Sequence, residues 1–329
     1  MKTKLASPSR RAALSRIGAA ASAALVPSTR VRAQAAYPSK PVRVIVPYSA
    51  GGGADTLART IFGKVSEKLG QQFIIESKGG AGGSIGASQV AKSKPDGYTL
   101  LVTANGPSVL NKMLYASLPY DPETDFTPIA LISDVPQVFA VNAKSPVSDL
   151  KGLVAFAKEK KEGLTIGHPG VGTGAHLTAI WFANLVGIKA VPVAYRGAQP
   201  LVTAVIGGEI DAGLPAYIPQ VHAAKILAVT SEERVDFLPG VPTVRGSGVA
   251  NVASGTFTAL AAPAGTPPEI VTRMNRILDA YLKTEEAKKQ FALIGAKTLG
   301  GPPERLTERM NREKVLWVPL VKSADIKLQ

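Results

Sequence analysis

Residues 41–70 read PVRVIVPYSAGGGADTLARTIFGKVSEKLG, and the order of patterns inside them decides the fold class. Val42, Val44, Ile45 and Val46, bounded by Pro41 and Pro47, form a short β-branched run of the kind that makes a strand. Ser49-Ala50-Gly51-Gly52-Gly53 then offers almost no side-chain bulk, which suits a tight turn or a close approach of the main chain to a ligand. Leu57, Ile61, Val65 and Leu69 recur every four residues, giving one apolar stripe on a helix that Gly70 stops.

The cassette repeats. Phe73-Ile74-Ile75 reads as the next strand, Gly79 to Gly86 as a glycine-rich link into a helix through Gln89 and Val90, and Tyr98 to Thr103 as a third strand. Strand, loop and helix in alternation predict an α/β fold with a mostly parallel sheet covered by helices. After an irregular acidic stretch at 119–128, a strand pair is expected at Ile129 to Ile132 and Val138 to Val141. A second α/β unit follows: a helix through Leu150, Leu153 and Ala157 capped by Ser148, a strand at Leu164 to Gly167, and a helix through Leu177, Ile180, Trp181 and Leu185. Ala190 to Ala194 and Ile226 to Val229 continue it as strands, with Leu201 to Ile206 and Ile210-Asp211 between them.

Phe257 to Ala262 predicts a strand leading back. Thr266-Pro267-Pro268-Glu269 has the marks of a helix start, a threonine cap followed by proline and by glutamate at the third position. Ile270, Met274, Ile277 and Tyr281 supply that helix's stripe, and Glu285 to Ile294 and Pro303 to Trp317 add two more helices. These helices lack the strands for a third sheet and are expected to cover the first. The expected organisation is a discontinuous domain of residues 37–135 and 257–329, with residues 136–256 inserted as a second domain.

Residues 1–35 read as an export leader. Lys2, Lys4, Arg10, Arg11 and Arg16 precede the apolar run Ile17 to Val26, and Ala33-Gln34-Ala35 supplies a small-x-small cleavage pattern. That run is half the length that spans a bilayer, and an amphipathic surface helix is the alternative. Ser9-Arg10-Arg11-Ala12-Ala13-Leu14 also resembles a twin-arginine signal, with Ala13 where a bulky aromatic is usual; the route stays open. The leader carries seven Lys or Arg and no acid, so its removal lowers the formal charge from +14 to +7. No basic stripe is interleaved with aromatics, which argues against nucleic acid as a partner. The 329 residues contain no cysteine, so disulfides, thiolate catalysis and thiolate metal sites are excluded.

Open α/β sheets take ligands beyond the carboxyl ends of their strands. Three loops there are small or polar and lead into helical patterns: Ser49 to Asp55, Thr103 to Ser108 and His168 to Thr173. Free N–H groups at a helix start can receive an oxygen anion, helped by the local dipole. The candidate ligand-binding residues are Ser49, Ala50, Gly51, Gly52, Gly53, Asp55, Thr103, Asn105, Gly106, Gly172, Thr173, His176, Arg196 and Asp211. Asp55 also fits a helix cap, Asn105 its own turn, His176 half-buried structure and Arg196 a solvent-facing cation. Gly52 is expected to need glycine, both for room and for its dihedrals. His168, His176 and His222 lack metal-ligand spacing, and no P-loop, Rossmann fingerprint or G-x-S-x-G elbow is present. Ser108, His168 and Asp211 could be written down as a triad, but spacing gives that no weight. No metal, cofactor or catalytic residue is therefore expected.

Several runs together resemble one family. They include Tyr37-Pro38-Ser39-Lys40-Pro41, the Val46 to Asp55 loop, Gly79-Gly80-Ala81-Gly82-Gly83, Pro95-Asp96-Gly97-Tyr98-Thr99-Leu100 and Leu118-Pro119-Tyr120-Asp121-Pro122. Gly172-Thr173-Gly174 with His176-Leu177, Val193-Ala194-Tyr195-Arg196-Gly197, Gly207-Gly208-Glu209-Ile210-Asp211 and Leu238-Pro239-Gly240-Val241-Pro242-Thr243 continue the series to Ala262-Pro263-Ala264-Gly265-Thr266-Pro267. In order and across the whole mature chain, these resemble the Bug, or TctC-like, substrate-binding proteins of tripartite tricarboxylate transporters. The resemblance implies a type II periplasmic-binding-protein fold, a Venus flytrap of two lobes. It also implies a monomeric receptor in the periplasm that serves a large and a small integral membrane subunit. The ligand implied is a small organic acid, among di- and tricarboxylates, some amino acids and aromatic acids. Its carboxylate would be gripped by main-chain groups and water at Ser49 to Gly53, with Thr103 to Gly106 nearby and Gly172-Thr173 from the second domain.

The chain departs from the family pattern in three places. Ala212 to Ile226 is roughly five residues shorter than the family's stretch there, His168-Pro169-Gly170-Val171-Gly172 stands where the family tends to have a serine or asparagine before the Gly-Thr loop, and tyrosine or tryptophan is frequent near the position of Phe257. An orphan carboxylate receptor feeding a sensor kinase shares the same expected fold. An exported α/β enzyme is the reading from another class, and it lacks a convergent constellation.

Overall fold

The computed structural model describes residues 37–323, so the leader expected at 1–35 lies outside the described residues. The chain opens as its first stretch predicts: β1 (Val42–Val46), α1 (Gly53–Leu69), β2 (Phe73–Ser77), α2 (Ser84–Ala91) and β3 (Thr99–Ala104). Gly70 stops α1 in the left-handed conformation, donating its N–H to Ser66 O. Leu57, Ile61 and Val65 are buried along the stripe that the spacing predicts. After the short α3 (Asn111–Leu114), β4 (Phe126–Val135) completes the outgoing half of this sheet.

A second sheet then begins. Its elements are β5 (Val138–Val141), α4 (Leu150–Glu159), β6 (Leu164–His168), α5 (Gly174–Val186), β7 (Ala190–Ala194), α6 (Ala198–Gly207), β8 (Ala212–Gly213) and β9 (Lys225–Val229). The chain returns along β10 (Thr256–Pro263) and ends in α7 (Pro268–Leu282), α8 (Glu285–Leu293), β11 (Lys297–Thr298) and α9 (Glu304–Ser323). The first sheet runs β11-β4-β10-β3-β1-β2 and the second β7-β6-β8-β5-β9.

Both sheets are mixed, where the alternation predicts mostly parallel pairing. β1 is parallel to β2 and β3, and β6 to β7 and β8. The strands beside the lobe crossings run the other way: β10 is antiparallel to β3 and β4, and β5 to β8 and β9. A strand that returns from another lobe needs no crossover helix, so nothing forces it to be parallel. For the same reason β4 and β5 are not the expected pair. Pro136 has no N–H to donate, and Val138 N–H instead joins Pro215 O in the second sheet.

The second lobe buries both faces of its sheet. Phe139 and Val141 enter one core with Leu153, Ile166 and Phe182, while Val138 and Ala140 enter another with Leu201, Val205 and Val221. Alternation along one strand feeds two cores, which is why β5 is apolar throughout.

Three local expectations shift. Asp149 rather than Ser148 caps α4, accepting the Gly152 N–H at 2.7 Å. Thr266 does not cap α7, because its hydroxyl donates to Pro263 O and Pro267 takes the cap position. After Asp211, where the resemblance implies a longer helix, the chain forms β8 and a single 3-10 turn at Pro219–Ala223. The last helix does more than cover the first sheet. Leu306 packs on Leu131 and Phe257, whereas Trp317 meets Leu177 and stands edge-on to Trp181 of α5 at 6.0 Å.

Candidate ligand site

Three loops leave the carboxyl ends of β1, β2 and β3 and pack on one another. A Cβ on Gly79 would stand 3.2 Å from the Tyr48 carbonyl carbon, and one on Gly83 would stand 2.7 Å from Pro107 Cγ. Gly106 is as confined, since a Cβ there would come within 3.0 Å of Gly82 O. Asn111 pins the middle loop by donating to Gly82 O at 3.1 Å and Ser84 Oγ at 2.9 Å. By its pattern this loop reads as a link into α2, and its four glycines are the local signal that it packs closely.

Ser49, Ala50, Gly51, Gly52 and Gly53 are exposed. Gly51 has φ +77°, a conformation that side chains resist, while Gly52 has an ordinary φ of −76°. The dihedral constraint therefore falls on Gly51, not on Gly52 as expected. At Gly52 the limit is room, because a Cβ would lie 3.3 Å from Ser49 O. No side chain caps α1, and the N–H groups of Gly53, Ala54 and Asp55 have no acceptor among the described residues. This bare helix start is the exposed, positively polarised end that an oxygen anion fits.

Asp55 does not compete with an incoming anion, because its carboxylate faces its own scaffold. It accepts Gly51 N–H at 3.0 Å, Ser77 Oγ–H at 2.8 Å and two bonds from Arg59 at 2.9 and 3.1 Å. Burial opposes its ionisation, but Arg59, Gly51 and Ser77 together hold the carboxyl below the usual aspartate value. It shapes the turn that a ligand would meet.

Thr103 and Asn105 also turn inward. Thr103 Oγ1 and Ser108 Oγ are 2.7 Å apart and both buried, lining a cavity of about 200 Å³ beside Met310 of α9. Asn105 uses both ends of its amide: Nδ2 donates to Gly255 O at 3.1 Å and Glu313 Oε2 at 2.9 Å, and Oδ1 accepts Phe257 N–H at 3.0 Å.

In the second lobe, the loop between β6 and α5 is built around two histidines. Thr173 caps α5 by accepting His176 N–H at 3.3 Å, and its own hydroxyl donates to Gly170 O at 2.7 Å. Gly172 N–H donates to His176 Nδ1 at 3.3 Å, so that neutral ring carries its proton on Nε2. The His168 ring stacks on it with centroids 4.3 Å apart, a pairing that no spacing in the sequence announces. Arg196 is exposed, and the backbone on either side is tied to this loop by Tyr195 N–H to His168 O and Gly197 N–H to Pro169 O.

Asp211 is not part of the site. It pairs with the amino-terminal end of β6, where it accepts Thr165 N–H at 2.8 Å and its hydroxyl at 2.6 Å, and binds Lys160 Nζ at 2.6 Å. Parallel pairing of β6 with β8 fixes this, because residue 211 precedes β8 and must lie at the end opposite the glycine loop. Ser108, His168 and Asp211 are accordingly bonded to three different sets of neighbours.

Residues 57–297 match the family described as "Tripartite tricarboxylate transporter family receptor". Protein BugT of Bordetella pertussis is 30% identical over 89% of this chain and 92% of its own length. Among solved structures, R. palustris Rpa4515 with adipate has a TM-score of 0.83 at 32% identity, covering 88% of this chain and 99% of that one. MatC from Rhodopseudomonas palustris with bound malate has a TM-score of 0.77 at 29% identity, covering 87% and 100%. With the two-lobed α/β architecture and the match across most of its length, the chain belongs to the tripartite tricarboxylate transporter receptor family.

Proposed function

We propose that this chain is a periplasmic receptor that captures a small organic carboxylate for the large and small membrane subunits of a tripartite transporter, without chemistry of its own. The observation that carries the reading is the exposed start of α1. Gly53, Ala54 and Asp55 offer unbonded N–H groups behind a turn of Ser49, Ala50, Gly51 and Gly52 that holds no Lys or Arg. An anion there meets oriented backbone donors and the helix dipole rather than a counter-ion. Gly172 and Thr173 would close on it from the second lobe, with Arg196 at the margin. The carboxylate ligands of the adipate-bound and malate-bound relatives support the class.

The lobes would correspond to residues 37–135 plus 257–329 and to residues 136–256, turning about the crossings near 135 and 256 as a monomeric clamp. Among the described residues, no helix is long and apolar enough to cross a membrane. A thermal-shift screen of the mature protein against organic acids tests the reading, since a ligand that binds only the native state raises its melting temperature. Stabilisation by at least one carboxylate is expected. A flat response across mono-, di- and tricarboxylates at millimolar concentration would overturn the proposal.

A further inference from the structure

The last helix does not close fully on the first sheet. Between α9 and strands β3, β4 and β10 lies the cavity of about 200 Å³, walled by the side chains of Leu101, Phe126, Ala261, Leu306 and Met310. Its lining comes from residues 101–128, 261 and 306–314, so neither the turn before α1 nor any element of the second lobe contributes. Glu123, Thr307 and Asn311 at its mouth are exposed, which leaves it open to solvent. An apolar space of about 150 Å³ suffices for a molecule the size of benzene, while drug-sized pockets begin at roughly 300 Å³. The cavity therefore suits a single six-membered ring with a small substituent.

Deep in the cavity stand the hydroxyls of Thr103 and Ser108, both buried. One donates to the other across 2.7 Å, and the one that accepts still has a proton to give. Neither hydroxyl has a further acceptor among the described residues. A buried O–H without an acceptor is costly, so the pair calls for an oxygen that can accept. The charged residues of the lining, Glu123 and Lys314, are joined to each other at 2.8 Å. An ion inside would meet neither a free counter-charge nor enough donors, and its desolvation would go uncompensated. The chemistry that fits is neutral.

We propose that this cavity is a second binding site, for a neutral ring-sized molecule that carries one acceptor oxygen. The ring packs between Phe126 and Met310, whose flexible thioether adapts to its outline. The oxygen takes the spare proton of the Thr103–Ser108 pair. Because the lining excludes the second lobe and the turn before α1, the site stands apart from the candidate ligand site and does not depend on the receptor reading.

Acetophenone is the probe, and α-methylstyrene, in which a CH₂ group replaces the carbonyl oxygen, is its isostere without an acceptor. Titration is followed by the methionine-methyl NMR signals of the wild-type protein. Acetophenone is expected to shift the Met310 signal saturably, and α-methylstyrene to bind about 3- to 10-fold more weakly, as the loss of one neutral hydrogen bond predicts. Ala261→Leu and Met310→Phe fill the space from opposite walls. In isothermal titration both should lose acetophenone, while the melting temperature holds or rises because a void has been filled. A Met310 signal that stays still at millimolar acetophenone overturns the proposal on the wild type alone, however the variants fold. Equal affinity for the two probes removes the acceptor oxygen from it and overturns the ligand class. Full acetophenone affinity in both filled variants puts the probe elsewhere and overturns the site.

Discussion

Asn105 Nδ2 and Glu313 Oε2 stand 2.9 Å apart, although 208 residues separate them in the chain. Glu313 also accepts Trp317 Nε1–H at 2.5 Å and Arg309 Nε–H at 2.8 Å, and Arg309 reaches Asp134 of β4 at 3.1 Å. The guanidinium lies over the Phe257 ring, 5.4 Å from its centroid. One buried carboxylate thereby ties the loop after β3 to both strands that lead into the second lobe.

Removing that carboxylate strands the buried Trp317 Nε1–H, takes one of the two acceptors from Asn105 Nδ2, and leaves Arg309 to Asp134 alone. Glu313→Ala is expected to destabilise the protein by about 1–3 kcal/mol, the cost of leaving a buried donor unsatisfied. Glu313→Gln keeps an acceptor and should cost clearly less. Urea denaturation reads this as a lower midpoint at unchanged slope. Equal midpoints for wild type and Glu313→Ala would show that the network contributes nothing to stability.

How much of this was legible beforehand follows from the range of each interaction. The β1 cassette, the Gly70 stop and the strand at Ala190–Ala194 are local patterns, and they stand where the spacing puts them. The Gly51 turn was legible as a candidate loop for the same reason. What the sequence hid is long-range. Nothing near Asn105 announces Glu313, and nothing near Asp211 says that parallel pairing carries it away from the glycine loop. The two-residue β11 is too short to leave a pattern, and it exists because β4 offers it an edge. The antiparallel return of β10 is likewise a property of the crossing rather than of the residues in it.

The stacked histidines predict a pH dependence. Burial holds both imidazoles below their usual 6.5, and the neighbouring His168 ring adds to the effect on His176, which falls to about 4. A depressed histidine prefers to fold uncharged, so its contribution is intact above pH 6.5 and declines as the pH falls toward 4. The upper limit for His176 is about 3 kcal/mol. The carboxyl groups of Asp55 and Asp211 are held below the usual aspartate value of 3.8, so their loss begins only at lower pH. Melting temperature should therefore fall between pH 6.5 and 4.5 and do so less in His176→Gln, with the interval set by the two histidines. A flat profile across that interval in wild type would refute the prediction.

Asp211 should behave as a structural residue. Asp211→Ala strands Lys160 and the Thr165 hydroxyl and N–H, and is expected to cost about 1–3 kcal/mol. The stabilisation it removes is present above the usual aspartate value and is lost as the pH falls below it, because the folded carboxyl is held low. Ligand affinity measured well below the melting point should not change. A ten-fold loss of affinity in a variant that remains folded would return Asp211 to the site.

The glycines of the first loop separate three effects that a single substitution would confuse. Gly51 sits at φ +77° with open space around it, so Gly51→Ala meets strain and no clash, about 1–2 kcal/mol. That strain should also displace the Gly51 N–H from Asp55 and disturb the turn. Gly52 has a permissive backbone but only 3.3 Å between its Cβ position and Ser49 O, so Gly52→Val adds bulk at the loop surface with little dihedral cost. Gly53 lies in the helix with nothing within 4 Å, and Gly53→Ala should be neutral or stabilise by up to about 1 kcal/mol. If backbone N–H groups grip the carboxylate, Gly51→Ala and Gly52→Val should both weaken binding while circular dichroism stays native, and Gly53→Ala should bind as wild type does. Arg196 is exposed, so Arg196→Ala should leave a monocarboxylate unaffected. Isothermal titration of the four variants decides between the two ways of holding an anion. Normal binding in Gly52→Val together with loss of even a monocarboxylate in Arg196→Ala would show that a side-chain ion pair holds the ligand, and that the bare start of α1 is only a helix end.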